Sequence, residues 1–304
     1  MTTFDEVVHV ATDAGRVAVH RRAAPGRPVA LMTHGTGFCA STWLGVIDLL
    51  ADEFDVWSID RRGHGLSSAP TDAYDFTDFA SDAVAVIDAL GLRDAYAVGH
   101  SAGATDLLLA AAERPEAFRR MFVIEPTAMD PADRDVRADM APFHAEAIAV
   151  FERRRASFAS RAEVIDRYTG RGAFVGWHPE LLEAFVRDGF ADEDDGTVVL
   201  RCSPANEVSM LRRIFAAMEG TYGTPGEPNP FDALELVLPP VRVVSTEHSQ
   251  PIYRQMADVV RRLVPRTTHV YLDGLGHTAA QVDPRRVAAE VLRWWHDDAS
   301  VGRQ

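Results

Sequence analysis

The sequence has few cysteines, a deficit of basic residues and no long apolar run. Only Cys39 and Cys202 occur among 304 residues. They are too few for a disulfide framework, and neither they nor the histidines show the spacing of a metal site. We therefore predict no metal ion and no other cofactor. Because 45 acidic residues outnumber 31 basic ones, the net charge is −14, and we predict no nucleic-acid partner since the chain would repel a phosphate backbone.

No segment approaches the ~18 consecutive apolar residues that a transmembrane helix requires. Residues 1–6 also lack the basic and apolar stretches of a secretion signal. These features predict a cytoplasmic protein with no membrane association. The composition carries no signal for a particular oligomeric state.

Short apolar runs alternate with segments of helical periodicity through most of the chain. Val29–Thr33 is an unbroken run, as expected of a strand buried on both faces of a parallel sheet, and Phe54–Ile59 and Ala95–Gly99 are further predicted strands. The alternation predicts an α/β fold with a mostly parallel central sheet flanked by helices. Residues 130–232 show only helical patterns and close with a loop rich in proline and glycine at 223–230. We predict a core of residues 1–129 and 233–304, with a helical cap (lid) inserted at residues 130–232.

The pentapeptide at residues 99–103, Gly-His-Ser-Ala-Gly, matches the G-x-S-x-G pattern of a nucleophile elbow. The pattern gains weight from its context, because a predicted strand precedes it and a predicted helix follows it. So sharp a turn leaves no room for side chains at the two glycines. We predict that Ser101 is a catalytic nucleophile; the alternative is a serine that only caps the helix.

A serine hydroxyl needs a base to take its proton, and that base is usually a histidine. His277 follows the last predicted strand, so its loop should reach the same sheet edge as Ser101. We predict that His277 is the base. His64 is a weaker candidate, because the glycines and Arg62 around it indicate a structural turn.

Four motifs occur in a fixed order along the chain: His34-Gly35, Asp60–Ser67, Gly99–Gly103 and Gly276-His277. This order resembles the α/β-hydrolase superfamily over about residues 1–129 and 233–298, and the insert resembles a helical cap. In that fold, one oxyanion-hole N–H comes from the residue after the nucleophile and another from the loop after an early core strand. The resemblance therefore implies Ala102 and Thr36 as the donors, with Gly37 as the alternative in the loop.

The triad acid departs from the commonest pattern of the superfamily. Many relatives carry an aspartate after the strand that corresponds to Val241–Ser245, but Ser249 stands where it is expected. Glu125 ends the strand that follows the elbow helix. This placement resembles members with a glutamate there, including zearalenone-type lactonases and some haloalkane dehalogenases. We predict Glu125 as the acid, with Glu247 as the alternative.

The insert is rich in aromatic residues, including Phe158, Tyr168, Phe174, Trp177 and Phe185. Each is individually expected in the core of the cap, but together they predict an apolar pocket over the sheet edge. The residues that we expect to line it are Gly35, Gly37, His100 and Trp177.

These parts predict hydrolysis of a small carboxylic ester or lactone through an acyl-enzyme. The serine at the elbow argues against dehalogenase and epoxide hydrolase chemistry, which uses an aspartate in similar folds. Two alternatives stay open: C–C bond hydrolysis by the same triad, and a non-catalytic sensor that binds a small molecule.

Overall fold

The computed structural model describes residues 3–72, 74–130, 141–218 and 229–297. Within these residues the main sheet contains eight strands in the order β1-β2-β4-β3-β5-β6-β10-β11. Its strands are β1 (Glu6–Thr12), β2 (Gly15–Arg22), β3 (Val29–Thr33), β4 (Asp55–Ile59), β5 (Ala95–His100), β6 (Phe118–Ile124), β10 (Val241–Thr246) and β11 (Thr267–Leu272). Only two pairs in this sheet are antiparallel, β1 with β2 and β2 with β4. The predicted α/β fold with a mostly parallel sheet is confirmed.

Helices connect the parallel strands and cover both faces of the sheet. The helices of the described residues are α1 (Leu44–Leu50), α2 (Phe76–Leu90), α3 (Ala102–Glu113), α4 (Ala141–Glu152), α5 (Arg161–Tyr168), α6 (Pro179–Asp188), α7 (Pro204–Met218), α8 (Pro251–Leu263), α9 (Ala279–Val282) and α10 (Pro284–Trp295). Alternate residues of β3 point into two different apolar clusters, Leu31 into one and Ala30 and Met32 into the other. Because successive side chains of a strand point to opposite faces, each face of the sheet has its own core.

The region predicted as a cap contains α4 to α7 and a small antiparallel sheet in the order β7-β9-β8. Its strands, β7 (Ser157–Phe158), β8 (Phe190–Asp192) and β9 (Val198–Leu200), were not predicted. Strands of two or three residues are too short to show alternation, which is why the sequence indicated helices alone.

The aromatic residues of this region form a buried cluster with Phe158, Phe174, Trp177, Phe185 and Phe190 at its centre. Leu44 at the start of α1 belongs to the same cluster, so this region packs on the core beside α1. Residues 131–140, 219–228 and 298–304 lie outside the described residues, and with them most of the predicted 223–230 loop. The limits of core and cap stay predictions. Among the described helices, none combines the length and the apolar character that crossing a membrane demands.

Candidate active site

Ser101 occupies a sharp turn between β5 and α3, with φ of 54° and ψ of −129°. Such a backbone conformation is strained for a residue other than glycine, and strain of this kind concentrates at functional sites. The two flanking glycines are required by space. A Cβ at Gly99 would lie 2.4 Å from Cα of Ala104, and one at Gly103 would lie 2.3 Å from the carbonyl oxygen of His34. Ser101 stands at the N-cap of α3, yet its side chain makes no capping hydrogen bond, so the helix does not occupy the hydroxyl.

The structure brings His277 and Glu125 together across the carboxyl end of the sheet. His277 Nδ1 lies 2.6 Å from Glu125 Oε2. Glu125 follows directly after β6 and, like Ser101, has a positive φ, here 45°. Its main-chain N–H donates to Val244 of the neighbouring strand β10 at 3.0 Å. This bond fixes the left-handed turn that points the carboxylate toward His277.

The carboxylate of Glu125 is fully buried and accepts four hydrogen bonds. Oε1 accepts from the backbone N–H of Thr246 at 3.0 Å and from its hydroxyl at 2.7 Å. Oε2 accepts from the Ser249 hydroxyl at 2.7 Å as well as from His277. Burial alone would raise the pKa of Glu125, but the bonds to His277, Thr246 and Ser249 outweigh it and hold that pKa below its usual value. The carboxylate is therefore charged, and Nδ1 of His277 is the donor in their bond.

The alternative acid, Glu247, makes no hydrogen bond to His277 among the described residues. Its side chain is exposed, and its Oε2 accepts from the backbone N–H of Gly274 at 2.7 Å. It therefore closes the loop that precedes His277 without touching the imidazole. Ser249, which stands where an aspartate was expected, contributes a hydrogen bond to Glu125 instead of a charge.

Two rings flank the imidazole of His277. The ring of Tyr253 stacks on it with centroids 3.9 Å apart and planes 20° from parallel, and the ring of His100 lies 4.6 Å away at 50°. His100 is the residue before Ser101, and burial holds its pKa well below the ordinary value, so it is neutral. In the described residues the hydroxyl of Ser101 and the imidazole of His277 make no hydrogen bond to each other. Contacts between nucleophile and base are often long before substrate binds.

The loop after β3 is held by His64, the residue set aside as a base. His64 Nε2 accepts from the backbone N–H of Gly37 at 2.9 Å, and its Nδ1 donates to the carbonyl of Arg62 at 2.9 Å. Burial lowers the pKa of His64 far below its usual value, so it stays neutral and can accept at Nε2. The amide of Gly37 is thus occupied, which leaves Thr36 as the donor candidate in this loop.

Thr36 and Ala102 both line a small, open crevice at the sheet edge. Aromatic and aliphatic side chains from the α2 region and from α7 form most of its wall, and two arginines complete it: Arg61, Tyr74, Phe76, Phe79, Met210, Arg213 and Ile214. The four residues expected to line the pocket are not part of this wall. Trp177 packs in the aromatic cluster, with its ring 5.3 Å from that of Phe38.

The wall residues were missed because they come from two segments that are distant in sequence. The sequence did indicate the place of Arg61, because the segment after β4 must leave the sheet at the same edge as the elbow. Nothing in the sequence indicated that α7 would face this edge.

Buried ion pairs hold the loops beneath the crevice. Arg61 donates to both oxygens of Asp106 on α3, through Nε at 2.5 Å and Nη2 at 3.2 Å, and its Nη1 lies 3.3 Å from the Thr36 hydroxyl. Arg62 forms a similar fork with Asp82 of α2, at 2.7 and 2.9 Å. The prediction that Arg62 pins the turn fits this geometry.

Asp60 connects the same loops to β2 through His20. Its carboxylate accepts from the backbone N–H groups of Ala40 and Leu66 and lies 2.7 Å from Nε2 of His20. Burial would raise the pKa of Asp60, but these partners, His20 foremost, lower it to about 2. Across the described ranges, no three or more His, Cys, Asp or Glu side chains are grouped so as to hold a metal ion.

The whole arrangement, an elbow serine, an imidazole and a buried glutamate at one edge of a parallel sheet, can be compared with known proteins. The model of the alpha/beta hydrolase family matches residues 30–290. The chain belongs to this family. The crystal structure of E-2-(acetamidomethylene)succinate hydrolase superimposes with a TM-score of 0.76 at 22% identity, covering 96% of this chain and 99% of that one. At this identity the likeness supports the fold alone.

Curated relatives of this α/β-hydrolase match over shorter stretches. The 2-(acetamidomethylene)succinate hydrolase of Mesorhizobium japonicum is 32% identical over 121 residues, 40% of this chain and 44% of that protein. Epoxide hydrolase A of Mycobacterium tuberculosis is 38% identical over 98 residues, 31% of this chain and 30% of that protein. The matches thus span less than half the length of either relative. Both are hydrolases, and their substrates differ, so family membership does not select a bond.

Proposed function

We propose that the protein is a serine hydrolase that cleaves a carboxylic ester or a lactone through an acyl-enzyme intermediate. The observation that carries the proposal is the 2.6 Å bond between His277 Nδ1 and the charged Glu125, beside an elbow whose serine hydroxyl caps nothing. A carboxylate bonded to Nδ1 holds the proton there, so that Nε2 is the free, basic nitrogen. Ser101, His277 and Glu125 then act as nucleophile, base and acid.

In the first half-reaction, the Ser101 oxygen attacks the acyl carbon while His277 takes the hydroxyl proton. The tetrahedral oxyanion accepts from the backbone N–H groups of Thr36 and Ala102, whose residues line the same crevice. His277 then gives its proton to the leaving alkoxide, and the C–O bond breaks. Water attacks the acyl-enzyme with His277 as base, which releases the carboxylic acid and restores Ser101.

The crevice indicates a small, largely apolar acyl group. The space that it encloses, about 10 Å³, is no more than a single water molecule needs. Both arginines in the wall already have carboxylate partners, Arg61 in Asp106 and Arg213 in Asp75. We therefore expect short acyl chains to react faster than long ones.

The test is hydrolysis of p-nitrophenyl acetate, butyrate and octanoate, a set of lactones and a set of vinylogous ketones. Ser101→Ala removes the nucleophile, and Ser209→Ala is its matched control, because the half-buried Ser209 on α7 donates its hydroxyl only to its own helix, at 3.0 Å. Loss of one oxyanion donor typically costs about 3–4 kcal/mol in the transition state, and loss of the nucleophile should cost more.

We expect ester or lactone turnover in the wild type and Ser209→Ala, and none above background in Ser101→Ala. A fluorophosphonate probe should add one covalent mass to the wild type and none to Ser101→Ala. Turnover of the ketones alone would favour C–C hydrolysis. Equal rates in the wild type and Ser101→Ala would refute the serine mechanism altogether.

A further inference from the structure

The stacked ring of Tyr253 lies against the imidazole that the proposed reaction needs. Its centroid is 3.9 Å from that of His277, with the planes within 20° of parallel. Burial, with a smaller contribution from the charge of Glu125, raises the pKa of Tyr253 to about 12. The phenol is therefore neutral near neutral pH, and it offers the imidazole an uncharged aromatic face.

Tyr253 and His277 lie on different kinds of element, a helix and a loop. Tyr253 lies in the first turn of α8, which begins at Pro251, and α8 buries Met256, Ala257 and Val260 against the core. His277 lies in a loop that starts at Gly274, whose φ is 72°. The Tyr253 ring therefore contacts the imidazole from an element that is separate from the loop of His277.

One hydrogen bond cannot fix the plane of an imidazole. The bond to Glu125 sets the position of Nδ1, but the ring can still turn about the line that joins the two atoms. Such a turn would swing Nε2 away from the serine. The Tyr253 ring, which stacks nearly parallel on one face of the imidazole, blocks this rotation. The ring of His100, in the elbow, lies 4.6 Å from the imidazole.

The stacked ring also stabilises a positive charge on His277. When His277 takes the proton from Ser101 it becomes positive, and an aromatic face attracts a cation that lies over it. The stack is therefore stronger in the protonated state that forms during the reaction. This is the condition under which a contact accelerates a step.

We propose that Tyr253 is a positioning residue, whose ring holds the plane of His277 and stabilises the positive charge that forms there. The inference rests on the proposed function, since it assigns His277 the role of base. It concerns the ring of Tyr253 and not the hydroxyl, so phenylalanine should replace it and an aliphatic side chain should not.

The test compares Tyr253→Phe with Tyr253→Leu, and Tyr271→Leu is the control. Tyr271 lies on β11 and is 39% exposed, with its ring near Arg254. We expect Tyr253→Phe and Tyr271→Leu to stay within about twofold of wild type in kcat, and Tyr253→Leu to lose about tenfold in kcat with KM little changed, the size of a partly desolvated cation–π contact. If Tyr253→Leu does not fold, as judged by thermal unfolding, Tyr253→Met serves as the second variant without a ring.

A second readout does not depend on activity. The proton between Nδ1 and Glu125 should give a downfield proton NMR resonance, assigned by its loss in Glu125→Gln. We expect this resonance to stay sharp in Tyr253→Phe and to broaden in Tyr253→Leu as the imidazole gains freedom.

The outcomes separate the two proposals. If Ser101→Ala is inactive while Tyr253→Leu keeps wild-type kcat and a sharp resonance, the role of Tyr253 is refuted and the serine hydrolase stands. Equal losses in Tyr253→Phe and Tyr253→Leu would also refute it, because the hydroxyl would then be the active part. Equal rates in the wild type and Ser101→Ala would refute the hydrolase, and the resonance alone would still report whether Tyr253 orders the imidazole.

Discussion

Replacing Glu125 by glutamine would keep the shape of the acid and reverse one hydrogen bond. The main-chain N–H of Thr246 can only donate, and it lies 3.0 Å from Oε1. It therefore requires the amide oxygen of the glutamine at the Oε1 position. The amide NH2 must then take the Oε2 position, facing His277 Nδ1 at 2.6 Å and the Ser249 hydroxyl at 2.7 Å.

Two donors cannot share that 2.6 Å contact, so Nδ1 of His277 must give up its proton and accept from the amide. The proton moves to Nε2, which is the nitrogen that should receive the proton of Ser101. An acid-to-amide change that leaves the imidazole in this tautomer costs about 10⁴-fold in turnover, or about 5.5 kcal/mol at 1.36 kcal/mol per tenfold. Stability should fall by much less, about 1–3 kcal/mol for one altered charged hydrogen bond.

The assay is kcat on the best p-nitrophenyl ester, with urea unfolding of the same samples. Glu247→Gln is the matched control, because its carboxylate is exposed and bonds only the loop amide of Gly274. We expect it to remain within about tenfold of wild type, well above the Glu125→Gln rate. If Glu247→Gln is the inactive enzyme and Glu125→Gln is not, the geometry has been misinterpreted and Glu247 is the acid.

Three other changes test the surroundings of the site. Gly103→Ala should lower the free energy of unfolding by about 1–3 kcal/mol in urea titrations, because its Cβ would meet the His34 oxygen at 2.3 Å; Gly276→Ala, whose Cβ finds no atom nearer than 3.8 Å, should leave stability unchanged. Burial opposes the charge of His20, but Asp60 outweighs it and raises the pKa of His20, so the pair stabilises the fold below pH 6.5 and loses that part as the pH rises through the folded pKa. The stability difference between wild type and His20→Gln should therefore be larger at pH 6 than at pH 9, and a difference that grows with pH would contradict the pairing. Asp60 works in the opposite direction: with a folded pKa of about 2 against 3.8, it contributes on the order of 2 kcal/mol above pH 4, and acid titration of Asp60→Asn against wild type should show that difference disappear toward pH 2.

Much of the fold could be predicted because its central strands are short, mostly apolar runs. β3, β4 and β5 are almost wholly buried, and such runs separated by amphipathic helices specify a parallel sheet. The elbow could be predicted because Gly99 to Gly103 form one contiguous motif, even though the Cβ excluded at Gly103 would meet the distant His34 oxygen. β7, β8 and β9 could not be predicted, since their pairing depends on contacts between residues far apart in the chain.

The site was predictable where topology alone decides position. Residues that follow parallel strands meet at one sheet edge, and this rule placed Glu125 and His277 near each other before any distance was known. The rule does not predict which side chains contact each other within the loops. That His64 occupies the Gly37 amide, or that Tyr253 covers His277, depends on side-chain geometry that no spacing encodes.

The bond between Ser249 and Glu125 has a consequence for how such sites change over evolutionary time. The loops that follow β6 and β10 each place a side chain beside the imidazole, Glu125 from one and the Ser249 hydroxyl, 2.7 Å from that carboxylate, from the other. An ancestor or descendant could exchange the two residues, aspartate for the serine and a small neutral residue for the glutamate, while the histidine stays still. The place of the acid is thus defined by its distance to the imidazole and not by the strand that it follows.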